Sequence, residues 1–122
     1  MGPLTRDTLL ARKFVDYPGM NVLFDIWAEH HFGNRAIPYR SLHIGGFINS
    51  LHGAVTMLEH GLGLTVIPRH CVKDLLRKGS LKAIPGPNIR PLMNDVYIVT
   101  PAGVELPARV KAVINIFRAM KN

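Results

Sequence analysis

Residues 51–68, LHGAVTMLEHGLGLTVIP, restrict the fold more than any other stretch of the chain. Leu51, Ala54, Val55 and Leu58 recur at helical spacing, which places them on one face. Gly61 follows where a helix ends, because the left-handed residue after a helix costs least without a Cβ. Gly63 adds a second flexible point. Leu64, Thr65, Val66 and Ile67 are β-rich and mostly apolar, as a buried strand is, and Pro68 stops them. The unit is helix, two-glycine turn, buried strand, proline.

The flanking sequence repeats this alternation. Thr5 can cap a short helix through Leu9 and Leu10. Phe14 to Tyr17 reads as a first strand, closed by the turn pair Pro18-Gly19. Asn21 is the expected N-cap of the next helix, with Leu23, Ile26, Trp27 and His30 on its apolar stripe and Gly33 as its stop. Tyr39 to Ile44 alternates, with Leu42 and Ile44 inward, and Gly45-Gly46 is expected to break that strand. After Pro68 a short helix carries Val72, Leu75 and Leu76 inward and ends at Gly79. Leu81 to Ile84 and Val96 to Thr100 read as further short strands. Pro85 to Pro91, with three prolines and a glycine, is an ordered loop or linker. Pro107 suits the first turn of a last helix bearing Val110, Val113, Ile114 and Phe117 on one face.

The expected fold is therefore α/β, a single lobe with a mainly parallel, twisted sheet and helices on both faces. Ligands of such sheets bind beyond the carboxyl ends of the strands. Here those ends are Tyr17-Pro18, Gly45 to Ser50, and Pro68 to His70.

Composition limits the functions open to this fold. A chain of 122 residues is enough for one core, and 48% hydrophobic against 19% charged residues is globular rather than disordered. No apolar run approaches the roughly 20 residues that span a bilayer, and the opening residues, interrupted early by Arg6 and Asp7, are not expected to act as a signal segment. The single cysteine, Cys71, excludes an internal disulfide and fits a reducing compartment, so the expected location is cytoplasmic. The net charge of +7 lies in the second half of the chain. That balance suits an anionic ligand or nucleic acid, or is a solvated basic surface.

The run EHGLGLTVIPRH resembles the Gly-x-Gly, apolar strand, proline signature in the effector-binding domain of LysR-type transcriptional regulators. Phe14 to Tyr17, Trp27 with His31-Phe32-Gly33, Asp74-Leu75-Leu76 with Gly79-Ser80-Leu81, Val96 to Pro101, and Pro107-Ala108-Arg109 with Val113-Ile114 resemble the landmarks of that domain in order. The resemblance implies one lobe of a periplasmic-binding-protein-like (type 2) effector domain. Residues 1–101 resemble its second lobe, and residues 102–122 a closing helix that returns to the first lobe. Family members carry a winged helix-turn-helix, a dimerising linker helix and a first lobe. This sequence is expected to lack the first two and most of the third, and so not to read operator DNA itself.

The resemblance also implies a function: sensing a small organic effector to regulate transcription, with no enzymatic activity. The expected ligand-binding residues are Tyr17, Gly46, Phe47, Ile48, Asn49, Ser50 and Pro68. Unpaired N–H groups at a helix start suit a carboxylate, and Phe47 can wall an apolar group. Asn49 or Ser50 either adds a donor or caps the helix. An expected interface of a homodimer or higher oligomer uses Leu23, Trp27 and His30 of one helix and Val110, Val113, Ile114 and Phe117 of the last. Left exposed, the last four would cost roughly 1.5–3 kcal/mol each relative to burial, so that helix is expected to pack on its own lobe or on another copy. The alternative functions are a protein–protein module derived from such a domain and a small basic nucleic-acid-binding protein.

No cofactor or metal is expected. His30-His31 are adjacent and His52 and His60 too far apart on one helix to share a metal, so surface or core histidines are the plainer reading. Cys71 is either a thiol activated near a helix start or a small buried residue.

Overall fold

The computed structural model describes residues 3–93 and 99–120. Backbone contacts divide the chain into two compact units, Met1–Leu92 and Met93–Asn122.

The first unit begins with α1 (Arg6–Ala11), capped as expected by Thr5. The Thr5 hydroxyl accepts the Thr8 N–H, and the Thr8 hydroxyl accepts the Thr5 N–H, each at 3.2 Å. β1 (Lys13–Asp16) then crosses the core, with Phe14 and Val15 buried. It pairs in parallel with β2 (His43–Phe47), Lys13 opposite His43 and Asp16 opposite Phe47. On the other edge of β1, Leu64 joins as a parallel bridge to Phe14. Its carbonyl accepts the Val15 N–H at 2.8 Å, and its own N–H donates to Lys13 O at 3.0 Å.

α2 (Met20–Phe32) lies between β1 and β2 in the chain and supplies much of the core. Its buried residues are Met20, Phe24 and Ala28, with Phe24 meeting Phe14 edge-on at 5.9 Å between ring centres. α3 (Leu51–Glu59) buries Ala54 and Val55, with Leu51 and Leu58 half-buried, so the helical face read from the spacing is the one that packs. His60 caps it and Gly61, at φ +72°, turns the chain out, as expected. α4 (Lys73–Lys78) buries its N-cap Val72 and ends at Gly79, φ +80°.

Several expectations need correction. Gly45-Gly46 does not break a strand: the strand begins at His43 and runs through both glycines, while Tyr39–Ser41 is a 3-10 turn. The glycines permit close approach, since a Cβ at Gly45 would lie 3.2 Å from Lys13 Cβ and one at Gly46 2.8 Å from Met57 Cε. The register of β1 and β2 shifts here, from Phe14 opposite Ile44 to Val15 opposite Gly46. Of Leu64 to Ile67 only Leu64 pairs as a strand residue, and all four are half-buried rather than buried. Leu81 to Ile84 has no regular structure. In α2 the N-cap is Gly19, at φ +93°, not Asn21; Met20, Phe24 and Ala28 are the buried residues, and Leu23, Ile26, Trp27 and His30 are half-buried.

The second unit holds α5 (Ala108–Ala119), for which Pro107 is the N-cap rather than a first-turn residue. Val110 and Ile114 are half-buried, whereas Val113, Ile116 and Phe117 are each more than half exposed. The strand expected over Val96 to Thr100 lies mostly outside the described residues; Val99 and Thr100 are exposed and irregular.

Candidate functional site

Three parallel segments end side by side: β1 at Asp16-Tyr17, β2 at Phe47-Ile48, and the segment after Leu64 at Val66 to Pro68. Short bonds tie these ends together. The Ile48 N–H donates to Asp16 O at 3.0 Å, and the Tyr17 hydroxyl donates to Val66 O at 2.7 Å. The Thr65 hydroxyl donates to Val15 O at 2.9 Å. Tyr39 braces them from the side: its hydroxyl donates to the Asp16 carboxylate and its N–H to Asp25 Oδ1 at 3.3 Å.

Both phenols are held protonated. Burial first, then electrostatic repulsion from Cys71 and Asp16, pushes Tyr17 up to about 12. Burial, the hydrogen bond to Asp16 and its charge raise Tyr39 to about 12.

The chain then runs from β2 into α3. Phe47 is 61% exposed, Asn49 and Ser50 are exposed, and Gly46, Ile48 and Pro68 are half-buried. The Ser50 hydroxyl accepts the Gly53 N–H at 2.9 Å, which makes Ser50 a cap. The Ala54 N–H closes on Ser50 O at 3.1 Å. The N–H groups of Leu51 and His52 have no acceptor within the helix, and together with the exposed Asn49 amide they give the rim unspent donors. Tyr17 is buried beneath this rim with its hydroxyl already committed.

The residues expected at an interface are split between the units. Trp27 is packed by its own neighbours, its ring centre 4.6 Å from His31 and 6.0 Å from both Phe24 and Phe32. His30 Nε2 bonds Arg90 O at 2.7 Å. Val113 and Phe117 lie on the open face of α5.

Sequence reasoning missed two constellations. One is Tyr39 with Asp16 and Asp25, which no spacing rule connects. The other is Asn88, whose N–H donates to His31 Nδ1 at 3.1 Å, whose side-chain N–H donates to His30 O at 2.8 Å, and whose side-chain oxygen accepts the Arg90 N–H at 3.0 Å. Its only signal was a proline-bounded loop.

Among the described residues no three His, Cys, Asp or Glu side chains cluster as metal ligands. Cys71 is exposed, which corrects the expectation of a small buried residue. Two surface hollows of about 410 and 500 Å³ lie away from the rim, the first beside Asp25 and Glu29, the second beside Arg6 and Arg35.

The LysR substrate binding domain family matches residues 2–121. The chain belongs to that family. LysR substrate binding domains are periplasmic-binding-protein-like α/β folds of a regulator family rather than of enzymes, and the parallel sheet with its helices agrees with that fold. No curated protein and no solved structure matches the chain. None of its helices, among the described residues, is long and apolar enough to cross a membrane.

Proposed function

We propose that this LysR substrate binding domain takes a small organic anion at the rim formed by Gly46, Phe47, Ile48, Asn49, Ser50 and Pro68, and that the bound ligand biases transcription in an intact regulator. The observation that carries this reading is that the ends of β1, β2 and the segment after Leu64 are bonded together where the chain enters the capped start of α3, with Phe47 and Asn49 exposed there. The free N–H groups of Leu51 and His52 receive the carboxylate, Asn49 adds a donor, and Phe47 covers the apolar body. Tyr17 acts from beneath: its bond to Val66 holds two strand ends in fixed relation, so a ligand that moves one moves the other. Residues 1–101 act as the second lobe, and residues 102–122 as a helix that completes the neighbouring one.

A panel of small carboxylates tests the reading by thermal shift. A ligand of this rim raises the melting temperature, and Phe47→Ala and Asn49→Ala each reduce the rise. A panel without any response, or a response that both variants leave intact, sinks it.

A second reading, self-association, is favoured by the exposed Val113, Ile116 and Phe117 of α5. It makes the chain a dimer through Val110, Val113, Ile114 and Phe117, with Leu23, Trp27 and His30 as a second contact face. Light scattering that finds a monomer at high concentration rejects it.

A further inference from the structure

We propose a second binding site, for a small aromatic carboxylate, in the hollow bounded by α1, the C-terminal end of α2 and the Pro85 to Pro91 loop. The hollow has a volume of about 500 Å³, within the range of roughly 300–1,000 Å³ that small-molecule sites occupy. None of the rim residues lines it.

Its walls divide by chemistry. Leu4, Phe32 and Pro87 are apolar. Arg6 and Arg35 supply two guanidinium groups, and neither makes a hydrogen bond or ion pair among the described residues. Asp7 also lines the hollow, so two cations stand against one anion and the balance favours a monoanion. A guanidinium offers paired donors in the plane that a carboxylate needs. The flat ring of an aromatic acid matches the Phe32 and Pro87 walls.

The floor is held in place. The Asn88 N–H donates to His31 Nδ1, which fixes the imidazole in its neutral form with the proton on Nε2. A Cβ at Gly86 would lie 2.4 Å from the same Nδ1, so the loop sits directly on this ring. Leu4 is tied across by its N–H to Pro85 O at 2.9 Å. The hollow is thus framed by bonds between segments far apart in sequence, and among the described residues its two guanidinium groups are left without a protein partner.

Trp27 is the single tryptophan of the chain, and it packs on His31 and Phe32, both of which line the hollow. Its fluorescence therefore reports occupancy. The experiment titrates the whole chain with sodium benzoate and follows Trp27 emission, with benzyl alcohol as the uncharged control. The expected result is a saturable change with benzoate and none with the alcohol. Arg6→Gln and Arg35→Gln each weaken binding about tenfold, as loss of a charge-assisted hydrogen bond does. Phe47→Ala leaves the benzoate curve unchanged, which separates this site from the rim. The proposal is overturned by the absence of a saturable response, by an equal response in both glutamine variants, or by a response that Phe47→Ala removes. Unchanged emission and melting temperature of the ligand-free variants confirm that they remain folded.

Discussion

The His31 imidazole accepts the backbone N–H of Asn88 at 3.1 Å, and this bond holds the proline-rich loop against the end of α2. Acceptance requires a neutral Nδ1. Burial, and then the charge of neighbouring His30, lower the His31 pKa below its ordinary 6.5. A lowered pKa in the folded state means that the fold favours the neutral ring. The stability it contributes is fully present above pH 6.5 and is lost as pH falls through the folded pKa. Melting temperatures should therefore decline on mild acidification. His31→Gln, which cannot gain that proton, should flatten part of the decline.

At the alkaline end the sign reverses. Tyr17 and Tyr39 are raised from 10.0 to about 12, so the fold favours the protonated phenols. Their contribution is whole below pH 10 and disappears as pH rises to about 12. Ultraviolet titration should show both phenols ionising late, together with loss of structure. Tyr17→Phe leaves Val66 O without its donor and should cost roughly 1–3 kcal/mol in denaturant unfolding.

These bonds mark where the sequence stops being legible. Periodicity found α3 with its face and its end, because helical spacing is local, but left its cap open between Asn49 and Ser50. It found β1 for the same reason. It misplaced β2 because Gly45-Gly46 has the look of a break, whereas here the missing Cβ atoms make room for Lys13 and Met57. That reason exists only once the chain is packed. The phase of α2 slipped because the stripe Leu23, Ile26, Trp27 and His30 is apolar enough to pass for the core, while Phe24 is the residue that meets Phe14. At the rim, the placing of Phe47 and Asn49 just before α3 was readable, although Phe47 ends β2 instead of following a broken strand. The Tyr17 bond to Val66 spans 49 residues and was not.

Two glycines should respond differently to alanine. At Gly46 a Cβ meets only the terminal methyl of Met57, which can swing aside. At Gly63, φ +152°, it meets the Lys13 carbonyl oxygen at 2.8 Å, and backbone cannot yield so cheaply. Gly63→Ala should destabilise by about 1–3 kcal/mol, and Gly46→Ala by less. Paired denaturation curves decide it; equal losses would contradict the close approach of the 61–64 turn to β1.

Neighbouring Ser50 and Asn49 should separate folding from recognition. The Ser50 hydroxyl is committed to Gly53 as a helix cap, whereas the Asn49 side chain is exposed. Ser50→Ala should lower unfolding free energy by about 1 kcal/mol, the usual loss for a serine cap. It should keep the thermal response to a rim ligand, measured as the shift from its own lower baseline. Asn49→Ala should leave unfolding within about 0.5 kcal/mol of the parent, as for an ordinary surface change, yet diminish the ligand shift. The opposite pattern, with Ser50→Ala removing the shift and Asn49→Ala destabilising the fold, would assign the cap to Asn49 and the ligand contact to Ser50.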